Sequence, residues 1–418
     1  MTAPVSELPG KPLRAPAAGT LPRDTVVFDG PVTGDPLALL EPLGEALSRP
    51  GPAVIVSTSG STGRPKKTVL TTEALTASGR ATERATSGPG QWLLCLPAHY
   101  VAGVQVLARS VLAGTTPVLM APGPFTPEGF ARAASGMNHQ TRYVSVVPTQ
   151  LQRILDPADA APHPEAVRAL ARFDAILVGG SALSRTLARQ AGDAGLTVVS
   201  TYGMSETCGG CVYNGRPLDT VRIRTVPDDA AGDLSHFTSP AGHAPGVGRI
   251  WLGGDIVAGG YLDDPRQTGE HFRVIDGQRW YRTDDLGSTA EDGTVSVLGR
   301  TDDVINTGGI KVSAGVVTAA LTSHPGVRGA LVVPVPDAEW GHAVAALVVP
   351  RDGQFTNELR KELADLVREH HGSSAVPKYW RCVPELPLLS TGKPDRRAAA
   401  QLFDTAGAPA DTPHPGNG

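Results

Sequence analysis

Short apolar runs recur along this chain with helix-length stretches between them, and that alternation restricts the fold more than any other feature. Residues 92–96, 117–120, 143–147 and 175–178 read as strands, with the stretch 101–112 between the first two and a helix expected over 183–194. Strands alternating with helices imply an α/β layer built on parallel-type sheets. From about Arg224 the character shifts to short strands and glycine-rich turns, typified by residues 246–254, which points to a mainly β subdomain. Beyond Gly299 a compact α+β segment follows, with strands expected over 331–335 and 343–349 and helices over 316–323 and 357–370. Residues 1–25, rich in Pro, Ala and Gly, read as a flexible arm, and 405–418 as a similar tail. The expected organisation is a large domain over 26–300 and a small one over 301–404. A chain of 418 residues is longer than one hydrophobic core usually serves.

Within the large domain the run STSGSTGRPKK at 57–67 concentrates hydroxyls, glycines and lysines between two expected strands, 53–56 and 68–71. Gly60 and Gly63 can take positive φ and let backbone N–H groups converge on an anion. Ser59, Ser61 and Thr62 add hydroxyl donors, and Lys66 and Lys67 add charge. The spacing is not that of a Walker loop, so it does not mark a P-loop NTPase. On its own composition the run reads either as a polyphosphate cradle or as a Ser/Gly-rich hairpin connection.

A hydrophobic fraction of 40%, a charged fraction of 19% and a formal charge of -4 suit a globular protein without the basic field that nucleic acid requires. Apolar stretches are broken well before the ~18 residues of a membrane span, and no signal peptide is evident. Four cysteines, Cys95, Cys208, Cys211 and Cys382, are too few for a disulfide scaffold, so a reducing, cytoplasmic address is expected. Cys208-Gly-Gly-Cys211 admits three readings: a redox pair, half of a zinc site, or packing beside a functional loop. With no second C-x-x-C or nearby His pair, the third is preferred.

Further chemistry gathers at expected strand ends. Gly180 and Ser181 follow the strand 175–178, where α/β sheets bind ligands. The strand 197–200 runs into Thr201-Tyr202-Gly203-Met204-Ser205-Glu206-Thr207, in which a carboxylate can hold Mg²⁺ together with phosphate oxygens and Tyr202 offers a flat face to a base. An exposed turn is the alternative. Tyr281-Arg282-Thr283-Asp284-Asp285-Leu286-Gly287 is expected to place two acids at the end of a short strand, where Asp285 accepts both hydroxyls of a ribose or is merely solvated. Arg300 is a fixed cation suited to ribose or phosphate. Asp302 sits where a hinge would be, and Gly308-Gly309 permits a tight turn or close approach of a ligand. Lys393, on a loop bounded by Gly392 and Pro394, reads by itself as a surface lysine.

Taken in order, STSGSTGRPKK, TYGMSET, YRTDDLG, VLGRTDDVINTGGIKV and STGKPD resemble the signature of the acyl-adenylate-forming enzymes, and the resemblance covers nearly everything from Ala53 to Arg397. The intervening GPGQWLLCLPAHYVAGVQVL, SVVPTQL, LVGGSAL and TYGMSETCGGCVYNGRPLD resemble the o-succinylbenzoate–CoA ligase family of menaquinone biosynthesis. A glycine-rich loop beginning at Ser57 is similar to the compact form of that family, a truncated chain being the other explanation. The resemblance implies ATP, Mg²⁺ and coenzyme A, and a large adenylate-forming domain followed by a small, mobile α+β domain. It implies that Ser59, Gly60, Ser61, Thr62, Gly63 and Lys66 grip the β- and γ-phosphates, that Ser205 touches the α-phosphate and that Glu206 binds Mg²⁺. Gly180 and Ser181 would line adenine, with Tyr202 stacked on it and Gly203 in the same ATP site, while Asp285 and Arg300 would hold the ribose. Lys393 would bridge the substrate carboxylate and the α-phosphate. Asp302 would be the hinge about which the small domain turns to bring Gly308 and Gly309 beside incoming coenzyme A.

Two positions depart from the family pattern. In an ungapped match Tyr100 stands where His is expected and His99 where an aromatic is, and Asp284 stands where many relatives have Gly. For the succinyl carboxylate, His99, Tyr100, Thr149, Gln150 or an arginine are candidate partners, unranked. The expected function is an ATP-dependent acid–thiol ligase converting 2-succinylbenzoate to its CoA thioester. Partners are then a small-molecule acid, ATP and CoA, with no nucleic acid and no membrane span; homo-oligomerisation is an open expectation. The alternatives are a ligase for another aryl or acyl acid, or a non-catalytic nucleotide-binding homologue, against which Glu206 and Lys393 argue.

Overall fold

Alternate residues of one central strand feed two different cores. In Ala175–Val178 all four side chains are buried, Ala175 and Leu177 in one hydrophobic cluster and Ile176 and Val178 in another. Side chains of a strand alternate between faces, and burial of both faces is the mark of a covered parallel sheet. In this computed structural model, which describes residues 10–58, 66–155, 163–227, 238–239, 242–243, 247–389 and 394–404, the sheet runs Arg216–Pro217, Gly209–Tyr213, Val198–Met204, Ala175–Val178, Arg142–Val146, Gln91–Leu94, Val118–Leu119. Pairing is parallel from Val198–Met204 onward and antiparallel before it. One face packs on the helices Thr72–Ala85 and Val101–Ala113 through Leu75, Val104 and Leu107. The other receives Phe130, Leu151, Leu170 and Leu187 from Pro127–Ser135, Pro148–Leu155, Pro164–Leu170 and Arg185–Asp193.

A second sheet carries the entry to the glycine-rich loop. Pro52–Thr58 pairs parallel with Val26–Phe28 and antiparallel with Lys66–Thr71, the last register pair being Thr58 with Lys66. The residues between, 59–65, lie outside the described set. Thr71 ends its strand and accepts from the Ala74 N–H at 3.3 Å, an N-cap that turns the chain directly into Thr72–Ala85.

The expected β region is a separate antiparallel sheet, in the order Lys11–Pro12, Phe272–Ile275, Gln278–Thr289, Gly248–Gly254, Val221–Val226, with Val295–Arg300 also on Gln278–Thr289. Two differences from the sequence reading stand out. Lys11–Pro12 lies within the stretch expected as an arm, yet pairs with Val274 and Arg273 as an edge strand. Asp284 and Asp285 do not end a short strand: they sit inside Gln278–Thr289, whose hydrogen bonding continues past them through an irregularity at Leu286 and Gly287. Two successive acids read as a strand stop because exposed acids are poor strand formers. Here both are drawn inward by cations.

The small C-terminal domain follows the same two-faced logic. Val327–Asp337 and Gly341–Pro350 form a long antiparallel pair. Val332, Val344, Ala346 and Val348 meet Val317, Leu321, Leu363 and Val367 of the helices Ala314–Ser323 and Asn357–His371, while Leu331, Val333, Ala345 and Leu347 meet Ala399, Leu402 and Phe403 of Arg396–Asp404. Asp302 lies in the single turn Thr301–Asp303 between Val295–Arg300 and Val304–Thr307. The two domains meet there: the Ser313 hydroxyl donates to the Leu298 carbonyl at 3.0 Å, and Leu286 and Leu298 pack with Val304 and Val316. No helix among the described residues is long and apolar enough to cross a membrane.

Candidate active site

The strand Val198–Met204 ends in the single turn Ser205–Thr207, and this turn aims Glu206. Its shape is set by Thr207, whose hydroxyl accepts from the Met204 N–H at 3.0 Å and donates to the Gly209 carbonyl at 2.8 Å. Gly203 faces Gly210 across the strand pair, and a Cβ on it would lie 2.0 Å from the Gly209 carbonyl oxygen, so no other residue fits. Ser205 and Glu206 are buried. The Glu206 carboxylate accepts from the Tyr261 hydroxyl at 2.7 Å, and its backbone carbonyl from the Ala258 N–H at 2.9 Å.

Tyr202, one strand residue before Gly203, donates its hydroxyl to Asp285 at 2.6 Å. Asp285 is buried, which pushes its carboxyl above the ordinary Asp value; the Tyr202 hydrogen bond and the Arg300 charge pull the other way, and Asp284 and Asp302 reinforce the rise. Arg300 lies 3.8 Å from Asp285 and 3.6 Å from Asp284 and makes a two-pronged pair with Asp302, at 2.7 and 2.9 Å. Burial raises the Asp302 carboxyl, but that pair outweighs it and holds the group below the ordinary value. Asp284 also accepts from the buried Arg249 at 3.0 Å. Arg300 thus links the acid in the middle of Gln278–Thr289 to the turn Thr301–Asp303. Burial raises the titration of the Tyr281 phenol, and the charges of Glu206, Asp284 and Asp285 raise it further.

Lys66 enters from the loop side, its ammonium 5.1 Å from the centre of the Tyr261 ring. Lys66, Lys67, Tyr261, Asp263 and Asp264 line a cavity of about 330 Å³, and Lys67 pairs with Asp29 at 2.8 Å. Ser59, Gly60, Ser61, Thr62 and Gly63, and likewise Lys393, lie outside the described residues. Gly180, at φ +83°, and the exposed Ser181 stand beyond the end of Ala175–Val178.

The proposed acid-binding residues are less uniform. His99 and Tyr100 are half-buried with ring centres 4.1 Å apart, and burial lowers the His99 imidazole's titration. Thr149 is half-buried in the first turn of Pro148–Leu155. Gln150 is a strut: its amide oxygen accepts from the Val147 N–H at 3.0 Å and its nitrogen donates to the Cys95 carbonyl at 3.2 Å. Gly308 and Gly309, at φ +57° and +85°, form the tip between Val304–Thr307 and Ile310–Ser313, against Trp340. Cys208 and Cys211 are fully buried, and burial pushes both thiols up to about 12, which fits packing.

Sequence reading missed Tyr261 and His271 and gave no role to Tyr281, which together form the aromatic box behind Glu206. His271 stacks on Tyr281 with ring centres 5.9 Å apart, and the two tyrosine hydroxyls lie 3.4 Å apart. The available signal was Gly259-Gly260-Tyr261, an aromatic directly after two glycines that let the chain press against Val69 and Thr268. Among the described residues no group of three or more His, Cys, Asp or Glu could hold a metal ion. A single buried carboxylate such as Glu206 suits a cation that takes most of its ligands from phosphate and water, as Mg²⁺ does.

The AMP-binding enzyme family model matches residues 14–262, and that of the AMP-binding enzyme C-terminal domain matches 317–393. The probable 2-succinylbenzoate–CoA ligase of Mycobacterium tuberculosis is 40% identical over 356 residues, 84% of this chain and 84% of its own. The 2-succinylbenzoate–CoA ligase of Bacillus cereus is 29% identical, over 84% of this chain and 70% of its own. Among solved structures, o-succinylbenzoate CoA synthetase (MenE) from Bacillus subtilis, in complex with the acyl-adenylate intermediate OSB-AMP, shares the fold with a TM-score of 0.66 at 25% identity, covering 84% of this chain and 69% of that one. With one family model over more than half of its length and a second over its small domain, this chain belongs to the AMP-binding enzyme family.

Proposed function

We propose that this chain, an AMP-forming acid–CoA ligase, converts 2-succinylbenzoate to its CoA thioester in menaquinone biosynthesis, as a cytoplasmic enzyme. The observation that carries the site reading is that the strand Val198–Met204 and the turn after it present Tyr202 to Asp285, beside Arg300, and Glu206 to Tyr261, whose ring carries Lys66. The choice of acid is supported by the relatives' names.

In the first half-reaction a carboxylate oxygen of the acid attacks the α-phosphorus of ATP, the bond to the β-phosphate breaks, and pyrophosphate leaves with the electron pair. The chain's part is positioning and charge stabilisation. Ser59 to Gly63 and Lys66 would hold the departing phosphates, Ser205 the α-phosphate, and Asp285 with Arg300 the ribose hydroxyls. Tyr202, Gly203, Gly180 and Ser181 would flank the base. Lys393 would neutralise charge where carboxylate and phosphorus meet. Mg²⁺, when bound, supplies a further counter-charge to the phosphates, and Glu206 would hold it. In the second half-reaction the thiol sulfur attacks the acyl carbon, the thiol proton is lost, and AMP leaves. Rotation at Asp302 would exchange Lys393 for the Gly308–Gly309 tip. His99, Tyr100 and Thr149 would face the acid, with Gln150 shaping the wall behind them.

ATP–pyrophosphate exchange across a panel of aryl and acyl acids tests the reading. Exchange with 2-succinylbenzoate above all others is expected. Silence with that acid and exchange with another would move the chain to a different substrate, and silence with all would favour a non-catalytic nucleotide-binding homologue.

A further inference from the structure

Tyr261 is 1% exposed and its backbone is clamped on both sides, the N–H donating to the Thr268 hydroxyl at 2.9 Å and the carbonyl accepting from it at 3.2 Å. Gly260, at φ +114°, lets the chain approach Thr268 so closely that a Cβ would lie 2.8 Å from the threonine methyl. The ring is fixed edge-on by Phe272 at 5.2 Å and His271 at 6.3 Å. A ring held this firmly presents two fixed features. Its hydroxyl donates to one oxygen of Glu206 at 2.7 Å, and among the described residues the other oxygen accepts no hydrogen bond. Its face carries the Lys66 ammonium at 5.1 Å, within the range of a cation–π contact.

We propose that Tyr261 is a positioning residue for the phosphate end of the nucleotide site, setting the direction of the Glu206 carboxylate with its hydroxyl and the place of the Lys66 ammonium with its ring. The inference rests on the proposed roles of Glu206 and Lys66. A phenol donates one proton, so binding one carboxylate oxygen turns the second outward. A carboxylate and an ammonium held by one rigid side chain need no rearrangement when a metal–polyphosphate arrives, which is where preorganisation gains affinity. Tyr261 also lines, with Lys66, Lys67, Asp263 and Asp264, a cavity of about 330 Å³.

Tyr261→Phe removes the hydroxyl and keeps the ring. The test is calorimetric binding of α,β-methylene ATP, which cannot release pyrophosphate, with and without Mg²⁺. The expected result is a loss of about ten-fold or more in Mg²⁺-dependent affinity, the size of one charge-assisted hydrogen bond, with little change in the metal-free affinity. Thioester formation from supplied acyl-adenylate should stay within about two-fold, since pyrophosphate has then already left. Equal Mg²⁺-dependent affinity in wild type and variant overturns the inference. If the variant loses affinity while the wild type shows no pyrophosphate exchange, the positioning role stands and the reaction assignment falls. Should Tyr261→Phe fold poorly, Thr268→Val, which loosens the backbone clamp at similar volume, must weaken the same Mg²⁺-dependent binding, and its failure to do so is equally fatal.

Discussion

Gly203→Ala tests whether the close strand approach beneath Glu206 is a requirement of the site. The added Cβ would lie 2.0 Å from the Gly209 oxygen and 2.7 Å from both the Gly209 carbonyl carbon and the Gly210 Cα. All three are backbone atoms of the paired strand, so no rotamer change relieves the clash. Non-bonded heavy atoms settle at about 3.5 Å or more, so the strands must part by about 1 Å or more at this register pair. Overpacking of that kind costs about 2–3 kcal/mol, which in a domain of this size lowers the thermal midpoint by about 3–5 °C. The same displacement carries the turn Ser205–Thr207 with it, and a misplacement of about 1 Å costs on the order of a hundred-fold in rate. Thermal denaturation and ATP–pyrophosphate exchange measured on the same preparations check both numbers. Gly210→Ala is the control: its nearest neighbours are side-chain atoms, Thr201 Cβ at 3.0 Å and a Tyr213 ring carbon at 3.2 Å. That variant should keep most of its exchange activity. A Gly203→Ala protein with wild-type midpoint and exchange within about three-fold would refute the argument.

Tyr202→Phe removes a hydrogen bond that holds the Asp285 carboxyl down, and Asp284→Gly removes a charge that pushes it up. The acid limb of kcat/KM for ATP should therefore move to higher pH in the first variant and to lower pH in the second; movement in the same direction would unseat Asp285 as the group observed. Because the folded value lies above the ordinary 3.8, the protonated carboxyl favours folding. That contribution is complete below about pH 3.8 and is lost as pH rises through the folded value, as pH-dependent denaturation should show on comparison with Asp285→Asn. Gly192→Ala, at an exposed helical position with nothing within 4 Å of the new Cβ, should stabilise by about 0.5–1 kcal/mol without touching activity; a lowered midpoint would contradict it. Lys393→Ala should nearly abolish acyl-adenylate formation and spare thioester formation from supplied adenylate, and unchanged exchange would remove Lys393 from its proposed role.

What the sequence made legible were features with local periodicity. Residues 175–178 read as a strand because four apolar residues meet two glycines, and the structure places Ala175–Val178 there. Helices whose apolar spacing is interrupted, such as Pro127–Ser135 and Pro164–Leu170, were not read, because their length is short and their proline starts look like turns. Lys11–Pro12 was unreadable for another reason: an edge strand of two residues has no period, and its pairing is with residues some 260 positions away. The same limit hid Tyr261. Nothing local connects it to Glu206, 55 positions earlier; long-range pairing brings them together, through the Ala258–Glu206 backbone hydrogen bond and the pairing of Gly259 to Leu262 with Lys67 to Val69.

Asp284, expected from the sequence to depart from the family pattern, has a physical place in the structure. Alone, an extra acid beside Asp285 should repel it, and it does raise that carboxyl. Its own environment offsets this. The guanidinium of Arg249, 5% exposed, donates both to Asp284 at 3.0 Å and to the Thr283 carbonyl at 3.0 Å from the neighbouring strand, and Arg300 lies 3.6 Å away on the opposite strand. A buried guanidinium is costly without an anion close by, and a buried pair broken on one side is more costly than either a whole pair or none. Arg249 and Asp284 are therefore expected to tolerate replacement together better than singly, so the acid belongs to a unit spanning Gly248–Gly254 and Gln278–Thr289. That unit holds Asp285 between a cation it needs and an acid that opposes its ionisation, and Arg300, paired to Asp302, carries the same balance into the turn where the two domains join.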